Sequence, residues 1–314
     1  MILVTGATGF VGRALVCRLV RDGIAVRASV RQPDASFPAD VQVVRGGDLA
    51  AGTDWREPLQ GVEAVVHAAA RVHVMAETAS DPLAEFRRTN VDGTMALARQ
   101  AAEAGVQRFV FVSSIKVNGE ASPKGRPFAA DDVPAPLDAY GVSKMEAEQQ
   151  LTELSRQTGM EVVIVRPPLI YGPGVKANFA SMLRWLQRGV PLPLGAIHNA
   201  RSLVALDNLV DVLVTCLKHQ AAAGQVFLVS DGEDVSTTEL LVRAARAMGR
   251  SAHLVPVPAS WLEGAAAVLG RRHVAQRLCG SLQVDIDKTR RLLSWNPPLT
   301  LDEGLKKAVE GLKP

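Results

Sequence analysis

Apolar residues fall along the first half of the chain in two alternating rhythms. Short β-branched runs recur at Ile2-Val4, Val26-Val30, Val41-Arg45, Ala64-His67, Arg108-Ser113 and Glu161-Arg166. Between them Gly12-Arg21, Pro82-Ala104 and Ser143-Thr158 carry apolar residues at three- and four-residue spacing, the repeat of one buried helical face. Strand, helix, strand is the pattern of parallel strands joined by crossover helices. The expected fold class is therefore α/β, a doubly wound parallel sheet of the Rossmann type.

After Arg166 the rhythm breaks at Pro167-Pro168 and Gly172-Pro173-Gly174, and later segments mix helices with Pro-rich turns. Phe227-Val229 reads as a strand returning to the main sheet. The expected division assigns residues 1–170 to the sheet domain, with a returning segment near 200–230. Residues 171–199 and 231–314 then form a smaller C-terminal α+β lobe that binds substrate.

Composition narrows the function classes. With 314 residues, 47% of them hydrophobic and 21% charged, the chain lies well away from disordered compositions. The net charge of +3 comes from 35 basic and 32 acidic residues interleaved throughout, so no basic track for nucleic acid is expected. No run approaches the roughly 18 apolar residues of a membrane span. Met1-Ile2-Leu3-Val4-Thr5-Gly6 reads as a strand entering a glycine turn, not as a secretory signal, which gives a cytoplasmic expectation. Cys17, Cys216 and Cys279 are widely spaced and match no metal pattern; they read as structural thiols, and no metal site is expected.

Candidate chemistry begins at the first turn. Thr5-Gly6-Ala7-Thr8-Gly9-Phe10-Val11-Gly12 leaves the first strand and opens the first helix with glycines spaced GxxGxxG. Glycine permits the tight turn and lets backbone approach a pyrophosphate, whose charge the helix N-terminus favours. Gly6, Gly9, Phe10, Val11 and Gly12 are accordingly dinucleotide contacts. A cofactor with a free ribose 2′-hydroxyl wants an acid at the end of the second strand, but the sequence there is Val26-Arg27-Ala28-Ser29-Val30-Arg31. Arg31 instead offers a planar cation suited to a 2′-phosphate, with Ser29 as an extra donor, so NADP(H) is preferred and NAD(H) is possible. Asp48 and Leu49 follow the third strand, where the carboxylate either accepts from an adenine amino group or closes a turn. Ala68, Ala69 and Ala70 end the fourth strand with small side chains, which suit close passage of a cofactor or tight packing alone.

Tyr140 and Lys144 stand four residues apart, on one face of a helix starting there. A nearby cation lowers the pKa of a phenol, which suits Tyr140 to proton transfer, and the lysine also reaches ribose hydroxyls. Ser114 closes the strand Arg108-Ser113 at the carboxyl edge, where ligands of open α/β sheets bind.

Together these residues resemble the extended short-chain dehydrogenase/reductases, the superfamily of nucleotide-sugar epimerases, dehydratases and 4-ketoreductases. The resemblance adds Asn90-Val91 with Gly93-Thr94, Arg166-Pro167-Pro168 running into Tyr171-Gly172-Pro173-Gly174, Arg201 with Asp207, and Trp295-Asn296-Pro297 before Leu301-Asp302-Glu303-Gly304. It implies a catalytic trio of Ser114, Tyr140 and Lys144 with Asn90 in support, Pro167 and Lys144 on the cofactor, and Asn178 and Arg201 on the diphosphate of a sugar nucleotide. It also implies a homodimer through the helices around Pro82-Ala104 and Ser143-Thr158.

Departures from the family pattern choose among its activities. Sugar 4,6-dehydratases carry an Asp-Glu pair after the catalytic hydroxyl residue; here Ile115-Lys116 stands there, and the elimination lacks its acid and base. Epimerases usually carry the acid that Arg31 displaces. Leu169 stands where many of them have asparagine, and Cys279-Gly280-Ser281-Leu282 replaces their arginine-containing phosphate motif. The expected activity is therefore NAD(P)H-dependent reduction of the C4 keto group of a nucleotide-linked 4-keto-6-deoxy-hexose, of the UDP-4-keto-6-deoxy-N-acetylhexosamine type, for surface polysaccharide. The alternative is an NAD-dependent UDP-hexose 4-epimerase. Retention of Ser114, Tyr140 and Lys144 argues against a cofactor-sensing binding module.

Overall fold

A computed structural model describes residues 1–32, 36–72, 81–123, 125–270 and 272–312. Its strands are β1 (Ile2–Thr5), β2 (Val26–Val30), β3 (Gln42–Arg45), β4 (Ala64–His67), β5 (Arg108–Val112), β6 (Glu161–Arg166), β7 (Leu169–Tyr171), β8 (Arg201–Ala205), β9 (Val226–Leu228) and β10 (Asp234–Val235). Seven of them form an all-parallel sheet in the order β3-β2-β1-β4-β5-β6-β9. Every residue of β4 and β5 is buried, as expected where helices cover both faces and the strand sequence is apolar on both sides. Helices Phe10–Arg21 and Leu206–Lys218 cover one face through Leu15, Leu19, Leu209 and Leu213. Helices Thr94–Glu103 and Ala139–Thr158 cover the other through Leu97, Ala98 and Leu151.

Strand order reverses beside β1, whose neighbours are β2 and β4, so the carboxyl ends of β1 and β4 open a crevice at the switch point. The expected helix Pro82-Ala104 is in fact three pieces: an α-turn Pro82–Arg87, a π-helical turn Arg88–Gly93, and Thr94–Glu103. Tertiary contact sets that break. Asn90 is drawn into bonds with remote backbone, and a Cβ on Gly93 would lie 2.7 Å from the Leu49 carbonyl carbon. The helix expected from Ser143 begins earlier, at Ala139, because Asp138 accepts the Gly141 amide at 2.7 Å and caps it. That shift takes Tyr140 into the first helical turn.

A smaller sheet, β10-β8-β7, sits over a third core of Tyr171, Leu183, Leu192, Leu203, Leu241, Leu301 and Leu305. β8 lies within the 200–230 stretch yet pairs in this smaller sheet, whereas β9 pairs parallel to β6 in the large one. Among the described residues no helix is long and apolar enough to cross a membrane.

Candidate active site

The crevice is built from glycine and alanine where backbone segments nearly touch. Gly6 sits at φ +66°, and a Cβ there would stand 2.7 Å from the Ala69 nitrogen; a Cβ on Gly12 would run into the Gly6 carbonyl oxygen. Only glycine fits either place. The helix behind this turn starts at Phe10 with Gly9 as its N-cap and no side-chain cap, so its first amides are left to a ligand or solvent. Ala68, Ala69 and Ala70 are half-buried beside it. These features fit the backbone-lined cradle that a pyrophosphate requires.

At the far end of the crevice Arg31 is exposed, directly beyond β2, while Leu49 is half-buried under Gly93 and Asp48 is exposed. No acid follows β2 before residue 33. Ser29, expected as an extra donor, is turned inward: it is 7% exposed, and a Cβ on Gly46 would collide with its hydroxyl. That reading is corrected, since a hydroxyl packed against the neighbouring chain is not presented to a phosphate.

The trio converges from two elements. Ser114 stands two residues beyond β5 in extended backbone, and its Oγ accepts the Lys116 amide at 3.3 Å. Tyr140 and Lys144 lie one turn apart on the helix Ala139–Thr158. Burial pushes the Tyr140 phenol up to about 12; the Asp138 carboxylate adds to the rise, and the nearby Ser114 hydroxyl opposes it. Lys144 was expected to lower it. Instead the ammonium is drawn to the sheet, donating to the Val112 carbonyl at 2.8 Å and lying 4.1 Å from the Phe111 ring centroid. Desolvation is the larger force on both groups and lowers Lys144 to about 7, with Glu148 pulling the other way.

Of the residues around the trio, Asn90 was expected in support, whereas Phe86, Glu148 and Asn118 escaped the sequence reading. Asn90 donates to the Arg71 carbonyl at 3.0 Å and to Ser143 Oγ at 3.0 Å, and accepts the Arg71 amide at 2.8 Å. It thereby ties the segment after β4 to the Tyr140 helix, at a π-helical turn of the kind often found at functional sites. Phe86 meets Tyr140 edge-on at 6.0 Å. Below them Glu148 accepts from Ser113 at 2.5 Å and pairs with Arg166, both side chains being 5–6% exposed, and Arg166 also donates to Asn118. His67, fully buried, bridges Thr5 Oγ1 at 2.6 Å and Thr94 Oγ1 at 3.0 Å; burial, helped by the Lys144 charge, holds it down at about 3 and therefore neutral. Asn90 was signalled by the family resemblance, and Asp138, three residues before Gly141, has the spacing of an N-cap that would have marked the start of the Tyr140 helix.

Pro167 follows β6, and its carbonyl accepts the Ile115 amide at 3.0 Å, which fastens the Ser114 turn. Asn178 is exposed near the start of the helix Ala177–Gln187. Arg201 opens β8 and donates to the carbonyls of Arg277 and Gly280 at 2.9 and 3.0 Å; burial and the neighbouring Arg277 charge lower its pKa. Arg277 went unremarked in the sequence, two residues before Cys279-Gly280-Ser281-Leu282. The hydrogen bonds of the described residues join neither Asn178 nor Arg201 to the trio.

Comparison with known proteins agrees with this layout. The profile of the NAD dependent epimerase/dehydratase family matches residues 2–230. A UDP-glucose 4-epimerase of Vibrio cholerae is 48% identical over 311 residues, covering 98% of this chain and 94% of that protein. The crystal structure of UDP-N-acetylglucosamine 4-epimerase from Bacillus cereus superposes with a TM-score of 0.80 at 22% identity, covering 100% of this chain and 97% of the other. UDP-glucuronic acid 4-epimerase from the same organism, in complex with NAD, gives a TM-score of 0.78 at 22% identity, with 99% and 95% covered.

Proposed function

Because this chain belongs to the NAD-dependent epimerase/dehydratase family, we propose that it is a UDP-hexose 4-epimerase. The observation that carries this reading is the 48% identity to a UDP-glucose 4-epimerase across nearly the full length of both chains. It displaces the 4-ketoreductase expected from the sequence, because the arguments for that activity were departures from family habit. A relative this similar weighs more than those departures.

NAD, held by the glycine turn and the alanines after β4, would supply the hydride acceptor and donor for C4 of the sugar. The chain's own residues supply the rest. Tyr140 accepts the proton of the C4 hydroxyl and later gives it back, at the atom where Ser114 also donates. Lys144, which donates to the Val112 carbonyl, would hold a ribose hydroxyl of the bound cofactor, and its charge would oppose the burial that holds the phenol up. Gly6, Gly9, Phe10, Val11 and Gly12 cradle the pyrophosphate; Asp48, Leu49, Ala68, Ala69, Ala70 and Pro167 line the cofactor's path. Asn178 and Arg277 face the diphosphate from the lobe formed by 171–199 and 231–314, Arg201 joins them from β8, and a homodimer in the cytoplasm completes the reading. Purified protein should carry NAD and should equilibrate UDP-glucose with UDP-galactose, or their N-acetylated counterparts, by proton NMR. Protein that carries no NAD and converts none of the four sugars overturns the proposal.

One observation favours the second reading, net 4-ketoreduction with NADPH: the exposed cation of Arg31 where an NAD site has an acid. Consumption of one NADPH per 4-keto sugar, without epimerisation, would establish it.

A further inference from the structure

Lys116 stands in the turn that leaves β5, two residues beyond Ser114. Its amide donates to Ser114 Oγ, and its ammonium reaches two carboxylates, Glu120 at 3.1 Å and Asp138. The other oxygen of Asp138 accepts the Gly141 amide at 2.7 Å and so caps the helix of Tyr140. One side chain thus joins the element that carries Ser114 to the element that carries Tyr140. The two are packed without slack, since a Cβ on Gly141 would stand 2.9 Å from the Lys116 carbonyl oxygen. The three charged side chains are only 23–30% exposed, so solvent screens them less than a surface pair.

We propose that Lys116 is a positioning residue: it latches the Ser114 turn to the N-terminus of the Tyr140 helix through Asp138, and its charge offsets that of Asp138 at the Tyr140 hydroxyl. The proposal rests on Tyr140 as the proton-transfer group. The charged side chains on the elements packed around Tyr140 are these. Asp138 lies at its own helix cap and Lys144 one turn along. Lys116 and Glu120 stand on the turn after β5. Arg71 lies over the Phe86 ring, and Arg87, paired with Glu146, projects from the helix Pro82–Arg87. Asp138 makes the phenol harder to ionise, and an ammonium bound to Asp138 works against that.

The chain has two tyrosines, and Tyr171 donates to Asp231 in a buried site that drives its ionisation far up. Tyr140 is therefore the first to ionise, and near-ultraviolet tyrosinate absorbance of the full chain saturated with NAD follows it without any sugar. Lys116→Met should raise the onset of ionisation by about one pH unit. Lys116→Arg should leave it in place. Lys116→Met/Asp138→Asn should bring it back, because asparagine caps a helix about as well as aspartate while carrying no charge. A Lys116→Met variant that titrates like the wild type, or a shift that persists in the double variant, overturns the proposal. Should Lys116→Met fail to fold, the double variant against Asp138→Asn alone still removes the lysine charge, and the double variant is expected to ionise at the higher pH; equal onsets would overturn the proposal. A tyrosine titration that moves while the pH dependence of kcat stays fixed counts against Tyr140 as the proton-transfer group, and leaves the latch standing.

Discussion

Two ionisable side chains one helical turn apart are both held toward their neutral forms by burial, Tyr140 near 12 and Lys144 near 7. Removing the Tyr140 hydroxyl alone should lower kcat about 10²-fold or more while the NAD dissociation constant stays unchanged, measured by steady-state kinetics and cofactor fluorescence. Lys144 has a thermodynamic signature as well. Its folded pKa lies below the ordinary lysine value of 10.5, so between pH 7 and 10.5 the unfolded chain holds more protons than the folded one. Stability contributed by this group therefore rises with pH through that window and is lowest below pH 7. The melting temperature of the wild type relative to Lys144→Met should climb as pH is raised from 6 to 10; a difference independent of pH would place Lys144 in a solvated site. Arg31 tests the cofactor. If it reads a 2′-phosphate, Arg31→Ala weakens NADPH by about 1.5–3 kcal/mol and barely affects NADH; equal losses would leave NAD as the working cofactor.

At the scale of elements, strands were legible because their β-branched runs are short, apolar and bounded by turns, and β1, β2, β4 and β6 fall where the pattern puts them to within a residue. The interruption at Arg88–Gly93 was not legible. It is fixed by the backbone of Arg71 and of Leu49, both remote in sequence from Asn90 and Gly93. The trio itself could be read from spacing and family resemblance. The direction of the Lys144 ammonium could not, because it depends on the Val112 carbonyl and the Phe111 face two elements away. Element packing also sets the cost of mutation. Gly12→Ala would force the first helix off the Gly6 carbonyl, and is expected to abolish NAD binding while leaving most of the secondary structure intact, by fluorescence titration and circular dichroism. Glu148→Ala would leave the Arg166 charge buried and unpaired, an expected loss of about 3–5 kcal/mol in denaturant unfolding.

For the whole molecule, the large sheet brings the glycine turn, the alanines after β4 and Ser114 to one carboxyl edge, and the helix Ala139–Thr158 lays Tyr140 across it. What the chain does there depends on whether hydride leaves the sugar for good or returns to it. UDP-glucose deuterated at C4 distinguishes the two. The account predicts UDP-galactose with deuterium retained at C4 and no reduced cofactor accumulating in solution; label lost to a free cofactor pool, or no galacto product at all, would contradict it.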